Sequence, residues 1–164
     1  MRVLVFGGAG FIGANLIEFL MTDRRHEVFV FDNLSQGNQL DFLFDKPTLT
    51  VGDMTDAPLV ARTLNEVQPD IIYHLAANSD VQASSSDSMP DIRDTLSSTV
   101  VLAIELAKSD HKCQVVFASS SAVYGEQFGE IEEDSPTKPV SSYGWMKLAS
   151  EAVLERLAFS GGIE

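Results

Sequence analysis

Tyr143 and Lys147, four residues apart in Ser-Ser-Tyr-Gly-Trp-Met-Lys, are placed to move a proton together. On a helix they share one face. An ammonium beside a phenol stabilises the phenolate and lowers the tyrosine pKa from about 10. Such a phenolate takes the proton of an alcohol while hydride leaves the carbon that bears it. Three hydroxyls, Ser119-Ser120-Ser121, end an apolar run, and one of them could hydrogen-bond the reacting oxygen. Each feature alone has a plain structural reading, as a solvated Tyr–Lys pair or a polar turn. Gly144 is poor helix chemistry at a helix start and points to close approach of a ligand.

A second set of residues suits an anion. Gly7-Gly8-Ala9-Gly10-Phe11-Ile12-Gly13 joins an apolar run to a helical pattern, with glycines at 7, 10 and 13. Gly7 permits a tight turn, Gly10 lets the backbone approach a pyrophosphate, and Gly13 lets helix and strand pack closely. The unpaired N–H groups of the helix N-terminus, at Phe11 and Ile12, then face phosphate. Asp32 ends the next apolar run, about 20 residues on, where an acid binds a ribose 2′-hydroxyl. A carboxylate there repels a 2′-phosphate, so NAD is favoured over NADP. The plain alternative for Asp32 is a turn-initiating residue before Asn33.

These positions require particular elements. Strands are expected at Arg2–Phe6, Glu27–Phe31, Thr48–Val51, Asp70–Leu75 and Gln114–Ser119. Helices are expected at Phe11–Met21, Ala57–Val67, Asp91–Lys108 and Ser142–Phe159, the last closed by Gly161 and Gly162. Short apolar strands are those of a sheet covered on both faces. Their alternation with helices implies right-handed crossovers and a doubly wound parallel α/β sheet of the Rossmann type. Ligands bind such sheets at the carboxyl ends of the strands, and the residues above lie at or beside those ends.

Composition narrows the function classes. The chain has 164 residues, 45% of them hydrophobic, which fits one domain with a real core. Its formal net charge is −13, which repels nucleic acid and anionic membrane. No apolar run approaches the roughly 20 residues of a membrane span, and glycines interrupt the N-terminal run where a signal peptide needs continuity. A cytoplasmic location is expected. Cys113 is the one cysteine and reads as a small buried hydrophobe. His26, His74 and His111 lack metal-ligand spacing, so no metal is expected, and His74 reads as a core histidine.

In order along the chain stand GGAGFIG, FDNLSQG, GDMTD, HLAAN, SSSAVYG, EEDSPTKP and YGWMK. This series resembles the extended short-chain dehydrogenase/reductase family, most of all its UDP-glucose 4-epimerase branch. The resemblance runs from Met1 to about Phe159. It implies catalytic roles for Ser120, four residues before Tyr124, and for Tyr143 and Lys147. It implies that NAD is held by Gly7, Gly10, Phe11, Ile12, Gly13, Asp32, Asn33, Asp53, Met54, Leu75, Ala76 and Ala77, together with Tyr143 and Lys147. Asp53 takes the adenine-contacting position. It also implies a UDP-sugar substrate and a homodimer through the Asp91–Lys108 and Ser142–Phe159 helices.

The chain departs from the pattern in places. Dehydratases of the family carry an acidic residue just after the catalytic hydroxyl, where Ser121 and Ala122 stand here. Epimerisation or simple redox is therefore favoured over dehydration. Asp94 aligns with an asparagine usual in the family. Family members run to roughly twice this length, so residues 1–164 read as an incomplete NAD-binding domain, ending after the Tyr–Lys helix and before the substrate domain. By itself it is expected to bind dinucleotide without turning over a sugar. Competing readings are a reductase or dehydrogenase with exchangeable NAD(H), and a dinucleotide-binding module without catalysis.

Overall fold

The computed structural model describes residues 1–78, 87–161 and 163. Five parallel strands, β1 (Arg2–Phe6), β2 (Glu27–Asp32), β3 (Thr48–Val51), β4 (Ile71–His74) and β5 (Gln114–Phe117), lie in the order β3-β2-β1-β4-β5. The helices are α1 (Phe11–Met21), α2 (Ala57–Val67), α3 (Ser98–Lys108) and α4 (Ser142–Phe159). The chain winds outward from β1 to β3, then returns beside β1 as β4. The reversal opens a crevice at the carboxyl ends of β1 and β4.

Alternation along β1 assigns the two faces. Leu4 and Phe6 join Ile72 on one face, under Val60 and Leu64 of α2, Leu102 and Leu106 of α3, and Leu154 of α4. Val3 and Val5 join Val28 and Val30 on the other, under Ala14, Ile17 and Leu20 of α1. All four of these β1 side chains have 0% exposure, as a central strand covered on both faces requires. Register places Phe6 beside Phe31 on one side and His74 on the other. The three strand ends are thereby level.

Several boundaries differ from the sequence expectation. β4 and β5 stop short of Leu75 and Ser119, although the Leu75 N–H still donates to the Phe6 carbonyl at 2.9 Å and the Ala118 N–H to the His74 carbonyl at 3.1 Å. β5 is covered on one face: Val115 and Phe117 pack into the core while Val116 stays exposed. The expected single helix from Asp91 to Lys108 is two pieces. Asp91–Ser97 is π-helical and runs into α3. Its wider turn is tied by side chains. The Thr95 carbonyl accepts from the Thr99 hydroxyl at 2.8 Å, from Ser98 at 3.1 Å and from Ser150 of α4 at 3.4 Å. α4 ends at Ser160 with Gly161 at φ +73° beyond it, the left-handed stop expected there; Gly162 lies outside the described residues. Among the described residues no helix is long and apolar enough to cross a membrane.

The turn after β1 is packed without slack. Gly7 has φ +75°, and a Cβ there would stand 2.6 Å from the Ala76 nitrogen. A Cβ on Gly13 would stand 2.5 Å from the Gly8 Cα. α1 therefore sits directly on the turn, with no room for a methyl group. Gly13→Ala is expected to cost about 1–3 kcal/mol of stability through overpacking, read as a lower urea midpoint at unchanged slope.

Candidate functional site

A cleft of about 450 Å³ opens at the carboxyl ends of β1, β2 and β4. Its floor is the glycine turn. The Ala9 peptide is held from both sides: its N–H donates to Asp32 Oδ2 at 2.9 Å, and its carbonyl accepts from the Gln39 N–H at 2.9 Å. Asp32 Oδ1 also accepts from the Leu34 N–H at 2.8 Å. Asp32 is thus both a turn residue and a carboxylate facing the cleft, so the two readings of it are compatible.

Gly10 differs from its neighbours. A Cβ there would meet only the Gly7 carbonyl, at 3.5 Å, which is ordinary contact. Nothing in the protein excludes a side chain at this point, so the small residue leaves open space beside the helix start. No side chain caps α1, and its first-turn N–H groups have no intrahelical acceptors. Open space, free donors and a positive helix end form a cradle for a phosphate group.

Gly7, Gly10, Phe11, Ile12, Gly13, Asp32, Asn33, Asp53, Met54, Leu75, Ala76 and Ala77 all line this one cleft. Asp53 Oδ1 accepts from the Thr55 N–H at 2.8 Å and hydroxyl at 2.7 Å. The Thr55 amide chiefly holds its carboxyl below the usual range, with burial opposing. The cleft also takes in Ser35, Gln36, Gly37, Gln39, Asn78, Asp94 and Ser98. The first three lie within the FDNLSQG stretch, which was read for Asp32 and Asn33 alone. Ser98, one turn after Asp94, is a polar interruption of an apolar helix, and that interruption is its signal in the sequence.

Ser120, Tyr143 and Lys147 do not line the cleft. They lie beyond its β4 border, where the Ala118 N–H donates to the His74 carbonyl at 3.1 Å. Ser120 starts a 3₁₀ turn, Ser121–Val123, and its Oγ accepts from the Ala122 N–H at 3.1 Å. Its side chain stands near enough to the Tyr143 phenol to lower its pKa. Lys147 is 2% exposed. Its Nζ donates to the Ala118 carbonyl at 2.7 Å and lies 4.7 Å from the Phe117 ring centroid and 5.8 Å from that of Tyr143.

This arrangement alters the expected electrostatics. Burial raises the Tyr143 pKa, the nearby Ser120 side chain opposes it, and Asp91 raises it further. The net direction is opposite to that expected from a Tyr–Lys pair, because burial of the phenol outweighs the opposing influence. Burial pulls the Lys147 ammonium down to about 8 against the attraction of Glu151. Gly144 also has a different explanation. A Cβ there would stand 2.6 Å from the Ala122 carbonyl, so the close approach is by the protein's own turn.

His74 is fully buried. The Thr99 hydroxyl donates to the Thr95 carbonyl, so it accepts from His74 Nε2–H, at 2.9 Å. Phe6 and Phe117 flank the ring. Burial, then the Lys147 charge, push its pKa to about 3. Cys113 is buried as expected, and burial raises its thiol to about 11.

A family model described as the NAD dependent epimerase/dehydratase family matches residues 3–164. The chain belongs to this family. It is 34% identical to the UDP-glucose 4-epimerase of Halalkalibacterium halodurans, over 92% of this chain and 44% of that protein. The Thermus thermophilus UDP-glucose 4-epimerase, solved in complex with NAD, superposes with a TM-score of 0.91 at 35% identity, over 100% of this chain and 53% of that one. The Thermotoga maritima UDP-glucose 4-epimerase, solved with UDP-glucose, superposes with a TM-score of 0.90 at 30% identity, over 99% of this chain and 53% of that one. The chain thus spans about half the length of the curated relatives it matches.

His74 makes stability depend on pH. Its folded pKa is depressed from 6.5 to about 3, so between these values the unfolded chain binds more protons. Stability therefore rises with pH across that window and is lost on acidification. Urea unfolding at about pH 7 and about pH 5 is expected to show a lower midpoint at the acid pH. In His74→Leu the difference between the two pH values shrinks, whatever the variant's overall stability.

Proposed function

We propose that residues 1–164 are the cofactor-binding part of an NAD-dependent nucleotide-sugar epimerase of the UDP-glucose 4-epimerase type. One observation carries the reading. A single cleft gathers the glycine cradle, Asp32 and Asp53, and the Ser120–Tyr143–Lys147 set stands just beyond its β4 border. A binding module without catalysis has no need of that set. The family match and the NAD and UDP-glucose named with the solved relatives support the same assignment.

In this reading the α1 N-terminus and Gly10 hold the pyrophosphate, Asp32 a ribose, and Asp53 and Met54 border the adenine. Bound NAD supplies the hydride acceptor for a sugar carbon and, once reduced, the donor that restores it. Tyr143 takes the proton of the sugar hydroxyl and later returns it. Ser120, beside the same phenol, orients the oxygen. The Lys147 ammonium, charged below about pH 8, favours the phenolate through its positive charge. The places after Ser120 carry no carboxylate, which favours epimerisation over dehydration. The 91–108 stretch and α4 leave Ile92, Ile104 and Trp145 exposed, and we assign these two segments to a homodimer interface.

Calorimetric titration of the 164-residue chain is expected to show NAD bound in preference to NADP. Asp32→Ala narrows that preference, and Gly10→Val abolishes binding by filling the phosphate cradle. Equal affinity for the two dinucleotides in the parent chain rules the cofactor assignment out. In the whole protein, Tyr143→Phe is expected to lower kcat for UDP-galactose and UDP-glucose interconversion by about 10²-fold or more. An unchanged rate removes Tyr143 from the chemistry.

A further inference from the structure

Lys147 is buried without an ion pair among the described residues, and its amine is placed by the carbonyl of Ala118 and the ring of Phe117. A buried ammonium is costly unless a counter-charge stands near it. Glu151 follows Lys147 by one helical turn, so the two share a face of α4. The Ser119 hydroxyl donates to the Glu151 carboxylate. Two successive residues at the end of β5 are therefore gripped by two successive turns of α4: Ala118 by Lys147, and Ser119 by Glu151.

Ser119 immediately precedes Ser120, which caps the 3₁₀ turn and stands near the Tyr143 phenol. A displacement of Ser119 is thus passed directly to the hydroxyl beside the phenol. We propose that Glu151, fixed by Ser119, is a positioning residue of the site, acting as counter-charge to the Lys147 ammonium and setting where Ser120 stands. This assignment rests on the epimerase reading for its role in the reaction. The pairing itself rests on the geometry of β5 and α4.

The other ionisable groups around Lys147 do not substitute for Glu151. His74, from β4, is held neutral by its burial and acts against the lysine charge. Asp91, from the π-helical segment, acts on Tyr143. Glu105 and Lys108 of α3 pair with each other at 2.7 Å. β5 itself contributes no ionisable group. The attraction of Glu151 is what opposes the fall of the Lys147 pKa on burial.

The test follows the Lys147 side-chain carbon beside the amine by NMR through a pH titration of the isotopically labelled 164-residue chain. Glu151→Gln is expected to lower the Lys147 midpoint by about one pH unit, a tenfold loss of proton affinity. Ser119→Ala gives a smaller fall in the same direction, because the carboxylate remains but is no longer anchored. Glu151→Asp keeps most of the parent value. A purely structural role for Glu151 leaves the midpoint where it was, and an unmoved midpoint in folded Glu151→Gln overturns the proposal. If Glu151→Gln does not fold, Ser119→Ala decides by the same criterion. In the whole protein the alkaline limb of the kcat profile is expected to move down with the Lys147 midpoint; a limb that stays in place removes Glu151 from the reaction. Titration of the parent chain with NAD separates the two readings. Absence of NAD binding defeats the epimerase assignment, while the midpoint shift alone decides the pairing.

Discussion

The contact on which the site depends is the seating of α1 directly on the turn that follows β1. Positions 7 and 13 leave no room for a methyl group: Gly7 lies against the backbone of Ala76, and Gly13 against that of Gly8. This brings the end of β1, the segment after β4 and the first turn of α1 into one rigid corner. The Asp32 carboxylate then holds the Ala9 peptide, which adds the end of β2 to the same corner. The cleft is what remains open around it. Where the protein's own backbone leaves space, at Gly10, the space faces a helix N-terminus with unsatisfied donors. Packing and the proposed phosphate cradle are therefore one arrangement, and a side chain at position 7 or 13 would disturb both.

The proton-transfer set obeys a different constraint. It is assembled from the end of β5 and the start of α4, and it depends on a buried cation. Lys147 satisfies one donor on Ala118 and sets its charge over two aromatic rings, an attraction strengthened by loss of solvent. Burial lowers the stability of that charge and also raises the phenol of Tyr143. The two shifts move apart, the ammonium becoming easier to deprotonate and the phenol harder. A lysine that gives up its proton near pH 8 is more readily coupled to proton movement than one at its ordinary 10.5. Burial therefore governs both groups more than their helical spacing does.

Much of this was legible in the residues. Apolar runs placed the five strands, and glycine spacing together with Asp32 located the cleft, because both depend on backbone geometry that local sequence dictates. What was not legible depends on distant partners. The π-helical turn at Asp91–Ser97 is held by Ser150 of α4 and by bonds to Asn78, and periodicity over that stretch reads only as a helix. The 143–147 spacing puts Tyr and Lys on one face but says nothing of where the amine finds an acceptor. Gly144 looked like a ligand contact because the sequence does not reveal that the Ala122 carbonyl comes within reach. His74 lies in the core as its sequence position suggests, and its depressed pKa follows chiefly from that burial, with the charge of Lys147, a distant partner, added to it.

The two halves of the site meet at His74. Its backbone carbonyl anchors Ala118 of β5, and the next residue in sequence, Leu75, borders the cleft. Its ring bonds Thr99 of α3, which in turn satisfies the carbonyl of Thr95 in the π-helical turn. That turn is continuous with Asp94 and Ser98, which line the cleft. A protonated His74 would place a second cation beside Lys147 in a region of low polarity, with repulsion and desolvation acting together. Burial first, and the lysine charge second, keep the imidazole neutral. His74 therefore couples the cleft border to the proposed proton-transfer set in three ways: its backbone bond to Ala118, its ring bond to Thr99 and its neutral state beside the Lys147 charge.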